Sequence, residues 1–419
     1  MPQILFILII SIVIADFILE RFLDFMNARN WSNMLPAEIK DYYDSENYKK
    51  SMNYDRENQR IDLLNSMLSF VIILFVLFFR GFAALDTWVR QITTHPILMS
   101  LLFFAVIAFL TDIISTPFSV YNTFVIEEKY GFNKTTVKTY IFDKLKGWLL
   151  AIVLGGLLLS LIVWIYSITT TWFWLIAWIA MTIVMIFLNM FYSSLIVPLF
   201  NKQTPLPDGE LRDAIESFCR KAGFKLKNIF VIDGSKRSSK ANAYFSGLGA
   251  KKRIVLYDTL IHDHTMEELV AVLAHEVGHY KLKHTFMGML MSVLQTGIML
   301  FILSLFIGNH SLSESLGVKT PSFHIGITAF GLLYTPVSLI TGLLMNWVSR
   351  KNEYAADAFA GKNVHPEALK SALIRLSVKH LSNLKPHHLY VLFHYSHPTL
   401  LQRIKALDII EKEEKSEGL

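Results

Sequence analysis

The sequence predicts a mainly α-helical polytopic membrane protein, with seven transmembrane helices and a small α+β domain on the cytoplasmic side. Hydrophobic residues make up 53% of the 419-residue chain and charged residues only 18%, whereas soluble domains carry about 25% charged residues. The mean hydropathy is +0.40. Seven separate stretches are apolar over about 20 residues, the length that crosses the hydrocarbon core of a bilayer as a helix.

The predicted transmembrane helices follow the hydropathy of the chain. They lie at about 3–23, 66–88, 97–117, 147–168, 171–195, 285–308 and 324–347. The first apolar run has neither a basic segment before it nor a convincing small-residue cleavage site. We therefore expect a retained membrane helix there, not a removed signal peptide.

Lysine and arginine alternate between abundant and scarce in the successive connections. The second and sixth connections carry only Arg90 and Lys319, the fourth carries none, and the others are rich. Because cytoplasmic loops collect these residues, we expect the N-terminus outside, and the fifth connection and the C-terminus on the cytoplasmic side. The membrane would be a bacterial inner membrane or the endoplasmic reticulum. The same loops explain the net charge of +6, so we expect no nucleic-acid partner.

Two polar regions divide the chain into four predicted segments. They are an N-terminal membrane domain at 1–195, a cytoplasmic α+β segment at 196–284, transmembrane helices six and seven at 285–347, and a C-terminal cytoplasmic helical segment at 348–419. In the α+β segment, β-like runs at 228–233 and 253–261 precede a helix. Thr265 and Glu268 form a capping box at the start of that helix.

The helix carries the stretch AVLAHEVGHYKLKH at 271–284. Residues at positions i and i+4 share a helix face, so His275 and His279 can direct two imidazole nitrogens at one metal ion. Glu276 is placed to act as general base on a water, as in the HExxH arrangement of zinc peptidases. The alternative is an amphipathic helix with two surface histidines. His284 falls off the shared face, and we interpret it as a solvent or interfacial residue.

A catalytic zinc takes three protein ligands and leaves one position open. The single cysteine, Cys219, excludes a multi-cysteine site. The best third ligand is Glu353, in NEYAADAFA at 352–360. Asp357, one turn further on, would accept a proton from the outer nitrogen of a ligand histidine. A solvated helix face would show the same spacing of Glu353 and Asp357. The surrounding alanines, however, favour a packed helix.

Two further segments carry candidate site residues. In HYSHPTLLQRI at 394–404, His397 or Arg403 could stabilise the oxyanion of an attacked carbonyl, although the segment also reads as a plain helix start. ANAYFSGLG at 241–249 could be an edge strand that pairs with an extended peptide through Asn242, Ala243 and Tyr244, or a plain hairpin.

Together these segments resemble the CAAX prenyl protease 1 family. TFVIEEKYGFNKTTVKTYIFDKLKG at 123–147 and SSKANAYFSGLG at 238–249 join the three stretches quoted above, in chain order. The resemblance implies a helix-enclosed chamber with a zinc endopeptidase site at its cytoplasmic end. It places His275, His279 and Glu353 as zinc ligands and Glu276 as the base. It also puts Asp357, Asn242, His397 and Arg403 at site positions. The chain lacks the long insertion before the Glu353 segment that larger eukaryotic members carry.

The sequence therefore predicts a membrane zinc metalloendopeptidase with one Zn²⁺ per chain, acting on peptides or proteins near their C-termini. The substrates would be prenylated CAAX proteins, which lose their last three residues. The runner-up is a quality-control protease with non-prenylated membrane substrates, although such proteases have fewer spans. A non-catalytic scaffold with a structural metal is less well supported, because a closed site has four protein ligands and no base. The oligomeric state stays open.

Overall fold

The computed structural model describes residues 1–31, 35, 39–40, 44–169, 171–224, 228–247 and 252–417. Within these ranges, seven helices are long and apolar enough to cross a membrane. They are α1 (Pro2–Arg29), α2 (Ser45–Phe78), α4 (Pro96–Glu127), α5 (Val137–Ile168), α6 (Phe173–Phe200), α10 (His284–Phe306) and α12 (Phe323–Asn363). The predicted fold class, a mainly α multi-pass membrane protein, is confirmed.

The second predicted span, at 66–88, differs from the helix that the structure contains. Helix α2 ends at Phe78, and Arg80 adopts a left-handed conformation with φ 55°. The chain turns there and begins a separate helix, α3 (Gly81–Ile92). The apolar run continues through this turn, so hydropathy alone merges two helices. The turn also adds Arg80 to the second connection.

Short helices close the end of the membrane domain that carries the second and sixth connections. They are α3 and α11 (His310–Ser315). His324 Nε2 lies 2.7 Å from Asp86 Oδ1, and both residues are buried. Arg90 pairs with Asp86 at 2.7 Å and donates to the Thr320 carbonyl oxygen at 3.0 Å. This network, with the buried Asp86–His324 pair at its centre, joins α3 to the start of α12.

Two pairs of polar residues within the spans connect neighbouring helices. Lys144 Nζ lies 2.9 Å from Asp112 Oδ1 and joins α5 to α4. Gln295 Nε2 donates to Thr341 Oγ1 at 3.0 Å and joins α10 to α12. These side chains therefore bind helix to helix, as polar groups in membrane bundles often do.

The fifth connection folds into a four-stranded mixed sheet with helices packed against it. The strands are β1 (Gln203–Pro205), β2 (Ile229–Ile232), β3 (Ala243–Ser246) and β4 (Arg253–Tyr257), in the order β1-β2-β4-β3. Strand β3 pairs antiparallel with β4 and forms an edge. Helix α7 (Glu210–Lys221) lies between β1 and β2, and helices α8 (Asp258–Asp263) and α9 (Met266–Lys281) follow β4. Buried Ile215, Phe218, Leu256, Leu269 and Leu273 belong to their common core.

The last membrane helix continues without interruption into the protease region. Helix α12 has 41 residues and runs from Phe323 in the membrane domain to Asn363 beside α9. The chain then forms α13 (Pro366–Lys379), α14 (His388–His394) and α15 (Leu400–Glu417). The predicted segments 285–347 and 348–419 thus share one helix, which connects the span directly to the residues at 353–357.

Candidate metal centre and active site

The HExxH residues lie on α9, whose start is built by the predicted capping box. Thr265 Oγ1 accepts from the Glu268 backbone N–H, and the Glu268 carboxylate accepts from the Thr265 N–H. This reciprocal pair satisfies two backbone donors that a helix start leaves free, and the prediction is confirmed. One turn of helix separates His275 from His279, and their Nε2 atoms lie 3.1 Å apart. Both imidazoles therefore face one point.

Helix α12 approaches α9 closely at Gly278. A Cβ built on Gly278 would lie 3.3 Å from the Cα and carbonyl oxygen of Ala356, and 3.1 Å from the Phe359 ring. A larger side chain would push the helices apart. The close crossing brings Glu353 Oε1 to 3.1 Å from His279 Nε2, and Glu353 Oε2 to 3.4 Å from His275 Nε2.

His275, His279 and Glu353 form a group that fits a divalent metal ion. Their ligand atoms all lie within 4.8 Å of one another. Glu353 is buried, and its Oε2 has no hydrogen-bond partner among the described residues. Two imidazoles and one carboxylate are a donor set that zinc accepts, with a fourth position left open.

Asp357 and Arg403 hold the outer nitrogen of His275. Asp357 Oδ1 lies 2.8 Å from His275 Nδ1. The Arg403 guanidinium donates two hydrogen bonds to the same carboxylate, at 2.8 and 2.6 Å. The Arg403 side chain is only 12% exposed and Asp357 is fully buried. A paired, bidentate geometry of this kind fixes the imidazole ring and its tautomer.

His284 holds the outer nitrogen of His279. Their Nδ1 atoms lie 3.1 Å apart. His284 is partly exposed and begins the α10 span, in keeping with an interfacial residue. Its contact with His279 was not predicted, because the helix does not continue to that position. Helix α9 ends at Lys281, Lys283 is left-handed with φ 62°, and α10 begins at His284. The turn swings the His284 ring back onto His279.

The charged groups shift one another's pKa values in directions that suit a metal centre. Burial disfavours charge on His275, but the neighbouring carboxylates of Asp357 and Glu353 outweigh burial and raise the pKa of His275 to about 9. Burial alone would raise the pKa of Glu353, yet His275 and His279 hold it far below its usual value. Burial raises the pKa of Glu276, as a general base requires.

A cavity of about 610 Å³ opens onto this cluster. His275, Glu276, Glu353 and Arg403 line one part of it, and Asn242 and Ala243 line another. Strand β3 lies at the edge of the sheet and pairs antiparallel with β4, so both the edge strand and the hairpin expected at 241–249 are present. Tyr244 points elsewhere: its hydroxyl lies 3.4 Å from both Ser193 Oγ and Gln203 Nε2.

His397 enters the cavity on a segment that Arg350 anchors. Arg350 Nη1 donates to the carbonyl oxygens of Val391 at 3.2 Å and Tyr395 at 2.6 Å. His397 Nε2 lies 3.4 Å from Glu353 Oε1, and its side chain is 61% exposed. Thus His397 has a free face toward the cavity, whereas Arg403 is engaged with Asp357. The role of Arg350 gave no signal in the sequence, since a lone arginine after a membrane span is ordinary.

Comparison with known proteins agrees with this architecture. Residues 24–202 match the family described as CAAX prenyl protease N-terminal, five membrane helices, and residues 205–411 match peptidase family M48. The CAAX prenyl protease 1 of Saccharomyces cerevisiae is 37% identical over 99% of this chain and 98% of its own. The Arabidopsis thaliana homologue is 34% identical over 96% of each chain.

A solved structure matches nearly the whole chain. The crystal structure of S. mikatae Ste24p superposes with a TM-score of 0.91 at 35% identity, covering 96% of this chain and 99% of that one. The resemblance seen in the sequence is confirmed, as are the predicted enzyme class and the multi-pass membrane character. The chain therefore belongs to the CAAX prenyl protease 1 family of M48 membrane metallopeptidases.

Proposed function

We propose that the protein is a zinc endopeptidase that removes the last three residues of prenylated CAAX proteins at the membrane. The observation that carries the proposal is the convergence of His275, His279 and Glu353 within 4.8 Å, with Glu276 lining the same cavity. The substrate class is supported by the curated relatives, which are named CAAX prenyl protease 1 and match almost end to end.

Zinc is the metal that this donor set fits best. The two imidazoles and one carboxylate leave one position open, as in catalytic zinc sites. A bound zinc ion supplies Lewis acidity, which polarises a peptide carbonyl and lowers the pKa of water. The raised pKa of His275 and the lowered pKa of Glu353 mean that the metal-free site keeps a proton on His275 beside the Glu353 carboxylate. A bound cation would displace that proton.

The residues around the metal ligands have separate roles in proton transfer, oxyanion stabilisation and substrate binding. Glu276 takes a proton from the attacking water and passes it to the leaving amine nitrogen. His397 donates to the oxyanion that develops on the scissile carbonyl, since its imidazole faces the cavity. Arg403 acts through Asp357, because both of its strong hydrogen bonds go to that carboxylate. Ala243, at the free edge of β3, pairs with the backbone of the substrate through its carbonyl oxygen, while its N–H donates to Asn242 Oδ1 at 2.8 Å.

The site faces the cytoplasm in this proposal. The connections that carry the protease residues are the ones rich in lysine and arginine, and such connections stay cytoplasmic. Helix α12 runs from its span directly to Glu353, so substrates would reach the site at the membrane surface. Protease protection of a tag after α15 in sealed vesicles tests this orientation.

The activity is tested with purified protein and a matched pair of C-terminal peptides, one farnesylated and one bare. Wild-type protein should release a tripeptide from the farnesylated peptide, detected by mass spectrometry. Glu276→Gln should keep its zinc and lose at least about 100-fold in kcat, because general base catalysis contributes about 10²–10⁴. Chelation should abolish cleavage, and added Zn²⁺ should restore it.

Three other outcomes would contradict parts of the proposal. Equal cleavage of both peptides would favour the quality-control alternative over prenyl selectivity. Undiminished cleavage by Glu276→Gln would show that Glu276 is not the general base. Purified protein that binds no zinc would reject the zinc enzyme altogether.

A further inference from the structure

The cavity contains a second group of polar side chains besides the metal ligands. One face of α13 lines the cavity, and this face changes from apolar to polar along the helix. Leu369, Leu373 and Leu376 come first, and Ser377 and His380 follow. Positions three and four apart share a helix face, so the wall of the cavity is apolar along one stretch and polar at the end of the helix.

Two buried hydrogen-bond donors at this polar end lack partners among the described residues. They are the hydroxyl of Ser377 and the Nδ2 of Asn383. Ser377 is only 8% exposed. Asn383 Oδ1 accepts from the Lys385 backbone N–H at 3.0 Å, which leaves its amide nitrogen to donate. Buried polar groups are normally paired, so both donors are available to a ligand that offers an acceptor.

His380 places this polar end beside the edge strand. Its Nε2 accepts from the Ala241 backbone N–H at 3.1 Å. A neutral imidazole that accepts at Nε2 carries its proton on Nδ1, so His380 offers a third donor. The next residue, Leu381, is left-handed with φ 51° and is buried against Ile126 and Phe132. That packing holds the turn that presents the donors.

The direction of the edge strand sets which end of a peptide reaches these donors. The Tyr257 N–H donates to the Asn242 carbonyl oxygen at 3.0 Å, so the alternation of an antiparallel ladder leaves Ala243 to face the free edge. A peptide that pairs antiparallel with β3 points its C-terminal end toward Ala241. Its terminus therefore arrives next to His380.

The charge around the polar end suits an anion. Among the described residues that line the cavity, the acidic ones are Glu276 and Glu353, and both belong to the metal cluster. Lys240, one residue before Ala241, is basic, although its Nζ lies 3.1 Å from Glu127 Oε1. Asp263 also acts on His380, but it is paired with Lys379 at 3.2 Å. The three neutral donors match the oxygens of a carboxylate.

We propose that Ser377, His380 and Asn383 bind the C-terminal carboxylate of the substrate. The site would set the distance from the chain end to the scissile bond. Three extended residues span about 10 Å, and the leucines of α13 would contact the aliphatic side chains between. This inference rests on the proposed function, because it names how that same site recognises its substrate.

The test compares two farnesylated peptides of one sequence, one with a free C-terminal carboxylate and one with a C-terminal amide. For wild-type enzyme, KM should be at least about tenfold higher for the amide, with kcat changed far less, since hydrogen bonds to a charged group carry this much selectivity. Ser377→Ala and Asn383→Ser should raise KM for the free acid only. The ratio of KM for the amide to KM for the free acid should therefore fall toward one.

Ser371→Ala is the matched control. Ser371 lies on the same helix, but its hydroxyl donates to Glu268 at 2.5 Å, and the wild-type ratio should persist. Equal cleavage of acid and amide by wild-type enzyme would overturn the inference and leave the peptidase assignment standing. A ratio that survives in both cavity variants would also overturn it. Absence of Glu276-dependent cleavage of either peptide, with zinc bound, would instead reject the proposed function.

Discussion

The Nδ1 atoms of His279 and His284 lie 3.1 Å apart, so the second histidine of the HExxH motif is held by a neighbour five residues on. With His279 Nε2 directed at the metal, its Nδ1–H donates to His284. Partners of this kind contribute about 10–100-fold to metal affinity. We expect His284→Ala to weaken Zn²⁺ binding by that factor, measured by competition with a chromogenic chelator.

His310→Ala is the control for that experiment. His310 is an exposed histidine at the other end of the membrane domain, so its removal should leave the zinc affinity unchanged. An unaltered affinity in His284→Ala would mean that His279 needs no partner at Nδ1.

Asp357 should be among the costliest residues to remove. It is fully buried and forms a bidentate pair with Arg403, whose side chain is 12% exposed. Breaking one partner of a buried pair costs about 3–5 kcal/mol. Asp357→Ala should therefore lower Tm by several degrees and release zinc. Asp208→Ala, which breaks the exposed pair with Arg212, should change Tm by little; similar losses in both would contradict the argument.

Zinc binding should strengthen as pH rises toward 9. The metal-free site holds a proton on His275 up to its pKa of about 9, and a metal must displace that proton. Below pH 9, the affinity should therefore rise about tenfold per pH unit for one proton released. Titrations from pH 6.5 to 8.5, corrected for the chelator, would show this slope. Asp357→Asn should flatten it, since the bond to Asp357 helps to raise the pKa of His275.

The crossing of α9 and α12 should not tolerate a side chain at Gly278. A Cβ there already lies 3.1–3.3 Å from Phe359 and Ala356, so a branched side chain must move α12 and Glu353 with it. We expect Gly278→Val to lose zinc affinity and activity together. Gly288→Val, at a helix position with no atom within 4 Å of a Cβ, is the matched control and should retain both.

The membrane architecture could be predicted from the sequence because its cause is local. A run of about 20 apolar residues must form a helix in a bilayer, since each backbone group has to be satisfied within the segment. The capping box of α9 and the shared face of His275 and His279 are local for the same reason: both follow from helical periodicity. Hydropathy misplaced the second span because Arg80 turns the chain inside an apolar run, and no window average detects a backbone angle.

The tertiary structure decided how distant segments meet. Glu353 was a candidate ligand from its residue type, but only the close crossing at Gly278 brings it to 3.1 Å from His279. The contact of His284 with His279 could not be predicted, because the turn at Lys283 directs the His284 ring. Likewise, only the structure shows that Arg403 donates to Asp357. The donors on α13 and beyond drew no attention in the sequence, because a serine, a histidine and an asparagine have no periodic pattern. Helical periodicity is a property of one segment, whereas contacts between segments depend on packing that the whole chain determines.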